Sequence, residues 1–117
     1  MKLKQNNLFN IIILTASIFL SIPGFAESHT IQMKSISFDP KNIDIKVGDS
    51  IQWVNTSYTE HSATAFIDEK NTKPTFDTGM VKPKKSSEKI IFKTAGQFMY
   101  SCQVHGKTMT GKVNVTQ

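Results

Sequence analysis

Residues 98–115, FMYSCQVHGKTMTGKVNV, read as two alternating runs joined by a six-residue connection. Phe98, Tyr100 and Cys102 share one face of the first run, and Met109, Gly111, Val113 and Val115 share one face of the second. Two strands this close in sequence pair antiparallel. The pairing delivers Cys102, His105 and Met109 together at one end of whatever sheet they join. Cys102 is the only cysteine of the chain, and a second imidazole is available only from His61 or His29. A thiolate and two imidazoles in a trigonal plane, with a thioether as weak axial donor, make a copper centre suited to electron transfer. Zinc also accepts Cys and His, but structural zinc normally takes four such ligands, and this chain has one cysteine and no CxxC. Singly, a lone cysteine is usually a small buried hydrophobe and a methionine a gap-filler. The metal reading rests on their order and on the strands that flank them.

The first part of the 117-residue chain reads as a targeting segment. Lys2 and Lys4 stand without a nearby acid, Leu8 to Leu20 is apolar, and Pro23-Gly24-Phe25-Ala26 places small residues before Glu27. This pattern predicts a secretory signal peptide over residues 1–26, cleaved after Ala26. The apolar run is short for a membrane span, so no stable membrane insertion is expected. Residues 27–117 then form one small domain. A single cysteine allows no internal disulfide, although an exported protein meets oxidising conditions. Burial as a metal ligand would protect it.

Every basic residue is a lysine, and the full chain carries a formal +5. Without arginine, and without basic residues interleaved with aromatics, this mild excess excludes nucleic acid as a partner. Lysines 82, 84, 85, 89 and 93 gather on one segment, which reads as a solvated edge that discourages strand addition.

From Thr30 onward the chain reads as short strands separated by turn signals, with no sustained 3.6-residue period. Ile31 and Met33 have one parity and Ile36 and Phe38 the other, which predicts a bulge near Lys34 or Ser35. Residues 42–47 alternate with Ile43, Ile45 and Val47 inward, and Ile51 and Trp53 follow. A polar loop, residues 55–60, delivers His61, after which Ala63, Ala65 and Ile67 alternate weakly. A short strand with Phe76 inward, a turn at Gly79, and a strand with Ile90 and Phe92 on one face complete the series. The expected product is an all-β, antiparallel Greek-key sandwich of seven to eight strands.

Phe38-Asp39-Pro40, residues 45–55 (IKVGDSIQWVN), His61, residues 95–102 (AGQFMYSC), His105 and residues 109–113 (MTGKV) together resemble the type I, or blue, copper proteins. The likeness is to cupredoxins of the plastocyanin, amicyanin and pseudoazurin kind. It implies a cupredoxin-like sandwich holding one copper ion through His61, Cys102, His105 and Met109, and it leaves His29 outside the ligand set. It also implies a periplasmic monomer that carries electrons between redox partner proteins, with His105 as the ligand at the solvent edge. A periplasmic copper carrier or copper-tolerance protein is the alternative. Copper oxidases and nitrite reductases need further copper sites and domains, so an enzyme is not expected. Val104 stands where the family usually has proline, which implies a less rigid ligand loop. Glu60-His61-Ser62 stands where the family commonly has Pro-His-Asn, and the Ser62 hydroxyl is expected to bond across to the ligand loop.

The terminus exposed by cleavage would begin Glu27-Ser28-His29. A free amine, two amides and an imidazole in sequence can enclose Cu(II) in a square plane, which sets a second, non-blue copper site beside the plainer reading of His29 as a disordered terminal residue without function.

Overall fold

The computed structural model describes residues 25–66 and 73–117. The signal-peptide reading falls mainly outside these residues, as does Ile67. Among the described residues no helix is long and apolar enough to cross a membrane.

The strands are β1 (Ser28–Met33), β2 (Phe38–Asp39), β3 (Asn42–Lys46), β4 (Ser50–Asn55), β5 (Thr64–Phe66), β6 (Pro74–Asp77), β7 (Ile90–Ile91), β8 (Gly96–Cys102) and β9 (Gly106–Thr116). They build one sheet in the order β2-β1-β4-β7 and another in the order β3-β9-β8-β5-β6. This is the expected all-β sandwich, with two differences in detail. The parity change after Met33 is not a bulge but a reversal. Lys34 N donates to Ser37 O at 2.8 Å, and Met33 pairs antiparallel with Phe38. The chain turns over between them, so both parities point inward while Ile36 is left exposed. One expected strand thereby becomes β1 and β2, which accounts for the ninth strand. The second difference is that β1 pairs parallel with β4 and β3 parallel with β9. In both pairs the chain passes through the other sheet between the two strands, and parallel neighbours need such a crossover because a hairpin cannot join them.

The apolar faces of both sheets meet in one core. Ile31, Met33, Ile51, Trp53, Met109 and Val113 have no exposed surface. Trp53 of β4 stacks on Phe76 of β6 with ring centroids 5.4 Å apart and meets Tyr100 of β8 edge-on at 5.6 Å, while Phe38 meets Tyr100 at 4.6 Å. Edge-to-face and offset arrangements of this kind suit the ring quadrupoles. Lysines 82, 84, 85, 89 and 93 are all exposed. Lys89 and Lys93 bracket β7, an edge strand, which fits their reading as protection of an edge. Lys84 does more than that. Its Nζ donates to Thr56 O at 2.6 Å and lies 4.2 Å from the centre of the Tyr58 ring.

Asp49, in the turn between β3 and β4, fastens the residues that lead into and begin β1. Its carboxylate accepts from Glu27 N at 2.9 Å and Lys46 N at 3.0 Å, and pairs with His29 Nε2 at 3.0 Å. These bonds, the Glu27 amide first, hold its pKa down at about 2 against an ordinary value of 3.8. The carboxylate form is what the fold binds, so its contribution is complete above the ordinary value and disappears as pH falls towards 2. Unfolding free energy measured from pH 6 to pH 2 should therefore fall over the acid range. Asp49→Asn should lower stability at pH 6 and flatten the part of the slope below pH 4; an unchanged slope would deny Asp49 this role.

Gly111 of β9 is required by Tyr100. A Cβ at Gly111 would overlap the Tyr100 ring and hydroxyl oxygen. Burial pushes the Tyr100 phenol up to about 12 although the Trp53 indole beside it acts the other way, and among the described residues neither Tyr100 Oη nor Trp53 Nε1 reaches a partner in hydrogen-bond geometry. Gly111→Ala should cost about 1–3 kcal/mol by overpacking. Tyr100→Phe removes an unsatisfied buried hydroxyl and should be neutral or stabilising by about 1 kcal/mol. Denaturant midpoints at constant m-value check both, and a tolerated alanine at 111 would contradict the packing account.

Candidate metal centre

Two segments build the site from opposite sides. Strand β8 ends at Cys102, a turn over residues 103–105 follows, and β9 begins at Gly106. Gly106 takes a φ of 54°, a left-handed conformation that glycine adopts without cost. His105 O accepts from Thr108 N at 3.2 Å and from Thr108 Oγ1 at 2.6 Å, so the residues after the turn hold it. The pairing runs from Gly96↔Val115 to Ser101↔Thr110 and then shifts, matching Cys102 with Gly106. Unshifted, Cys102 would face Met109. Both side chains are wholly buried, and Met109 lies one residue from Thr110, the partner of Ser101.

The opposite segment carries His61. Its backbone bridges to Val81, with Val81 N donating to His61 O at 2.7 Å and His61 N to Val81 O at 3.2 Å. Asn55, at the end of β4, ties the loop together. Its Nδ2 donates to Thr59 O at 2.7 Å and Val81 O at 2.9 Å, and its Oδ1 accepts from Ser57 N at 2.9 Å and Ser57 Oγ at 2.7 Å. The Ser57 hydroxyl proton goes to Asn55 Oδ1 or to Thr59 O, 3.0 Å away, and in either case Ser57 Oγ accepts from His61 Nε2–H at 2.8 Å. The network assigns the tautomer, leaving the Nδ1 lone pair of His61 free. Burial pushes the His61 pKa down, and the neighbouring His105 acts in the same direction. A neutral imidazole is the form that binds metal.

His61 Nδ1 lies 3.7 Å from Cys102 Sγ and His105 Nδ1 lies 3.6 Å from it. The donor atoms of His61, Cys102 and His105 all fall within 4.8 Å of one another. Two ligands bound at about 2.0 and 2.3 Å with 120° between them are about 3.7 Å apart, so one ion fits between all three. His61 and Cys102 are buried, and His105 is half-buried. Ser62 N donates to Cys102 Sγ at 3.5 Å, and Ser62 Oγ accepts from Gln103 N at 3.0 Å. The cross-loop bond expected of the Ser62 hydroxyl is present.

His29 does not join this group. It pairs with Ile51 near the start of β4, whereas the loop to His61 leaves from the other end of that strand at Asn55. Nor is the chain at residues 27–29 arranged in a square plane. Glu27 N is bonded to Asp49, Glu27 O accepts from Ser50 N at 3.0 Å, Ser28 and His29 lie in register with Ser50 and Ile51, and the imidazole is on Asp49. Wrapping an ion there would require the first residues of β1 to leave the sheet. Asn55, Ser57 and Asp49 had no signal in the sequence: each is a polar residue in a polar stretch, and only the fold buries it.

The family of copper binding proteins described as plastocyanin/azurin matches residues 26–116. The plastocyanin of Synechococcus sp. (strain JA-2-3B'a(2-13)) is 30% identical over 83% of this chain and 79% of its own length. That of Nostoc punctiforme (strain ATCC 29133 / PCC 73102) is 29% identical over 89% of this chain and 86% of its own. Among solved structures, a reduced amicyanin mutant superposes with a TM-score of 0.65 over 75% of this chain and 81% of its own, at 23% identity, a likeness of fold. A copper-containing nitrite reductase from Thermus scotoductus SA-01 superposes with a TM-score of 0.66 at 26% identity over 77% of this chain, which spans only 22% of that enzyme. The match over residues 26–116 takes in both strands of the cysteine hairpin and the loop of His61, and the chain belongs to the plastocyanin/azurin family of copper binding proteins.

Proposed function

We propose that this protein is an exported one-electron carrier of the blue-copper type. His61 Nδ1, Cys102 Sγ and His105 Nδ1 would hold the copper ion, with the Met109 thioether as a further, weaker donor. The observation that carries this reading is the approach of two imidazole nitrogens to one buried sulfur at 3.7 and 3.6 Å, in a chain of a copper-binding family. Bound copper supplies a one-electron couple at this donor set. The protein's part is to keep the donors still. Ser57 orients His61, Ser62 N–H directs a hydrogen bond at the Cys102 sulfur, and the β8–β9 pairing holds Cys102 and Met109 in the core. Such outer bonds orient ligands and tune a metal.

Half-buried His105 is the ligand nearest solvent, flanked by exposed Val104 and Gly106. This supports His105 as the point of electron exit and its surroundings as the contact for redox partner proteins. Plastocyanins matched over 79% and 86% of their own length, against 22% for the nitrite reductase, favour a carrier over a catalyst. Residues 1–26 act as a cleaved export signal, and the working compartment is the periplasm. A copper carrier is the second reading. Rapid electron self-exchange with slow copper release supports the shuttle, and rapid copper transfer to a chelating acceptor supports the carrier.

The copper-loaded mature protein should show an intense blue charge-transfer band. Cys102→Ser should abolish that band and leave a folded protein with a weaker copper site, because a hydroxyl is a poor soft donor; a blue serine variant would end the assignment. Met109→Gln should keep the colour and lower the reduction potential, since a harder axial oxygen favours Cu(II). A potential indifferent to the change would remove Met109 from the ligand set.

A further inference from the structure

We infer that Asp77, an exposed carboxylate on β6, positions the Cys102–His105 loop from a distance through two buried hydroxyls, those of Thr64 and Ser62. The inference rests on the proposed copper ligation only where it concerns the reduction potential.

The chain of contacts is continuous. Asp77 Oδ1 accepts from Thr64 Oγ1 at 2.9 Å and from Gly79 N at 2.8 Å. Thr64 Oγ1 lies 3.0 Å from Ser62 Oγ, and Ser62 Oγ accepts from Gln103 N at 3.0 Å. Thr64 is 1% exposed and Ser62 is fully buried, so water does not compete along the middle of the path. Thr64 is held in place by strand pairing, opposite Asp77 on one side and Ser101 on the other.

Proton counting gives the path a direction. A carboxylate only accepts, and a hydroxyl has one proton to give. Thr64 spends its proton on Asp77, so towards Ser62 it can only accept. Ser62 then spends its proton on Thr64, so it can only accept from Gln103 N–H. Gln103 is the residue between Cys102 and Val104, and Ser62 also gives its own N–H to the Cys102 sulfur. The charge on Asp77 therefore fixes which way two buried hydroxyls point, and the last of them holds the backbone next to the sulfur. Chains of this kind polarise one another in a low-dielectric interior. Without the acceptor at 77, both hydroxyls are free to reverse and the anchor at Gln103 weakens.

Two readouts separate positioning from mere packing: the exchange rate of the Gln103 amide in copper-free protein, and the reduction potential of copper-loaded protein. Asp77→Ala and Thr64→Val should each speed Gln103 exchange by roughly fivefold, the size expected for losing one net hydrogen bond, and each should raise the potential as negative polarisation near the sulfur is lost. Thr64→Ser, which keeps the hydroxyl, should match the unaltered protein in both. Asp77→Ala added to Thr64→Val should change nothing further, because the path is already cut. Unaltered Gln103 exchange in Asp77→Ala, or effects that add in the double variant, would overturn the inference. The arms also separate it from the copper reading: a protein that is never blue but whose Gln103 exchange responds as described keeps the relay and loses the centre.

Discussion

The antiparallel pairing of β8 with β9 is the constraint on which the rest of the molecule depends. It proceeds in regular register from Gly96↔Val115 to Ser101↔Thr110 and breaks only at Cys102. Up to that point it contributes Tyr100, Val113 and Val115 to the core and demands a glycine at 111. At the break, the extra residues on β9 let the strand leave the ladder. Cys102 ends its strand inside the protein while His105 swings to the boundary with solvent. A hairpin with no shift would put the histidine on a tight turn away from the sulfur. The same pairing thus makes the centre of the sandwich and the mouth of the metal site.

What approaches from the other side has to be equally rigid. A redox ligand that moved between oxidation states would slow electron transfer, and a long polar loop is an unpromising place for one. Residues 55–61 avoid this by bonding to themselves. Asn55 uses its amide and carbonyl on Thr59, Val81 and Ser57, and Ser57 passes the restraint to the His61 ring. The side chains of Asn55, Ser57 and His61 are buried, where an unmatched polar atom costs most and a matched one contributes most to a unique geometry. The loop is polar in sequence for two reasons: Thr56, Thr59 and Glu60 face solvent, while Asn55 and Ser57 turn inward and satisfy each other.

Asp49 does comparable work at the other end of β4. By holding Glu27, His29 and Lys46 to one carboxylate, it fastens β1 parallel to β4, and β1 brings Ile31 and Met33 into the core. A histidine that in the sequence alone resembled a terminal metal-binding residue is here part of the frame. Its imidazole and the backbone amide of residue 27 answer the same acid, so both groups help close the sheet.

Alternation was enough to specify most of the sandwich. Inward residues of β3, β4, β8 and β9 could be named because a strand with one face in a core repeats every second residue, and the donor set of Cys102, His105 and Met109 was legible because three ligands lie within one hairpin. Local sequence could not specify what depends on partners far along the chain. The turn after Met33 has the same parity signature as a bulge, and the two differ only in whether Phe38 finds β1 across from it. Parallel pairing of β1 with β4 and β3 with β9 follows from which sheet each crossover reaches. The choice of His61 over His29 by spacing alone was open for the same reason: 41 residues separate His61 from Cys102, and only packing of the two sheets brings Nδ1 to the sulfur. Composition and periodicity determined which residues could be ligands, and the tertiary fold decided which of them meet.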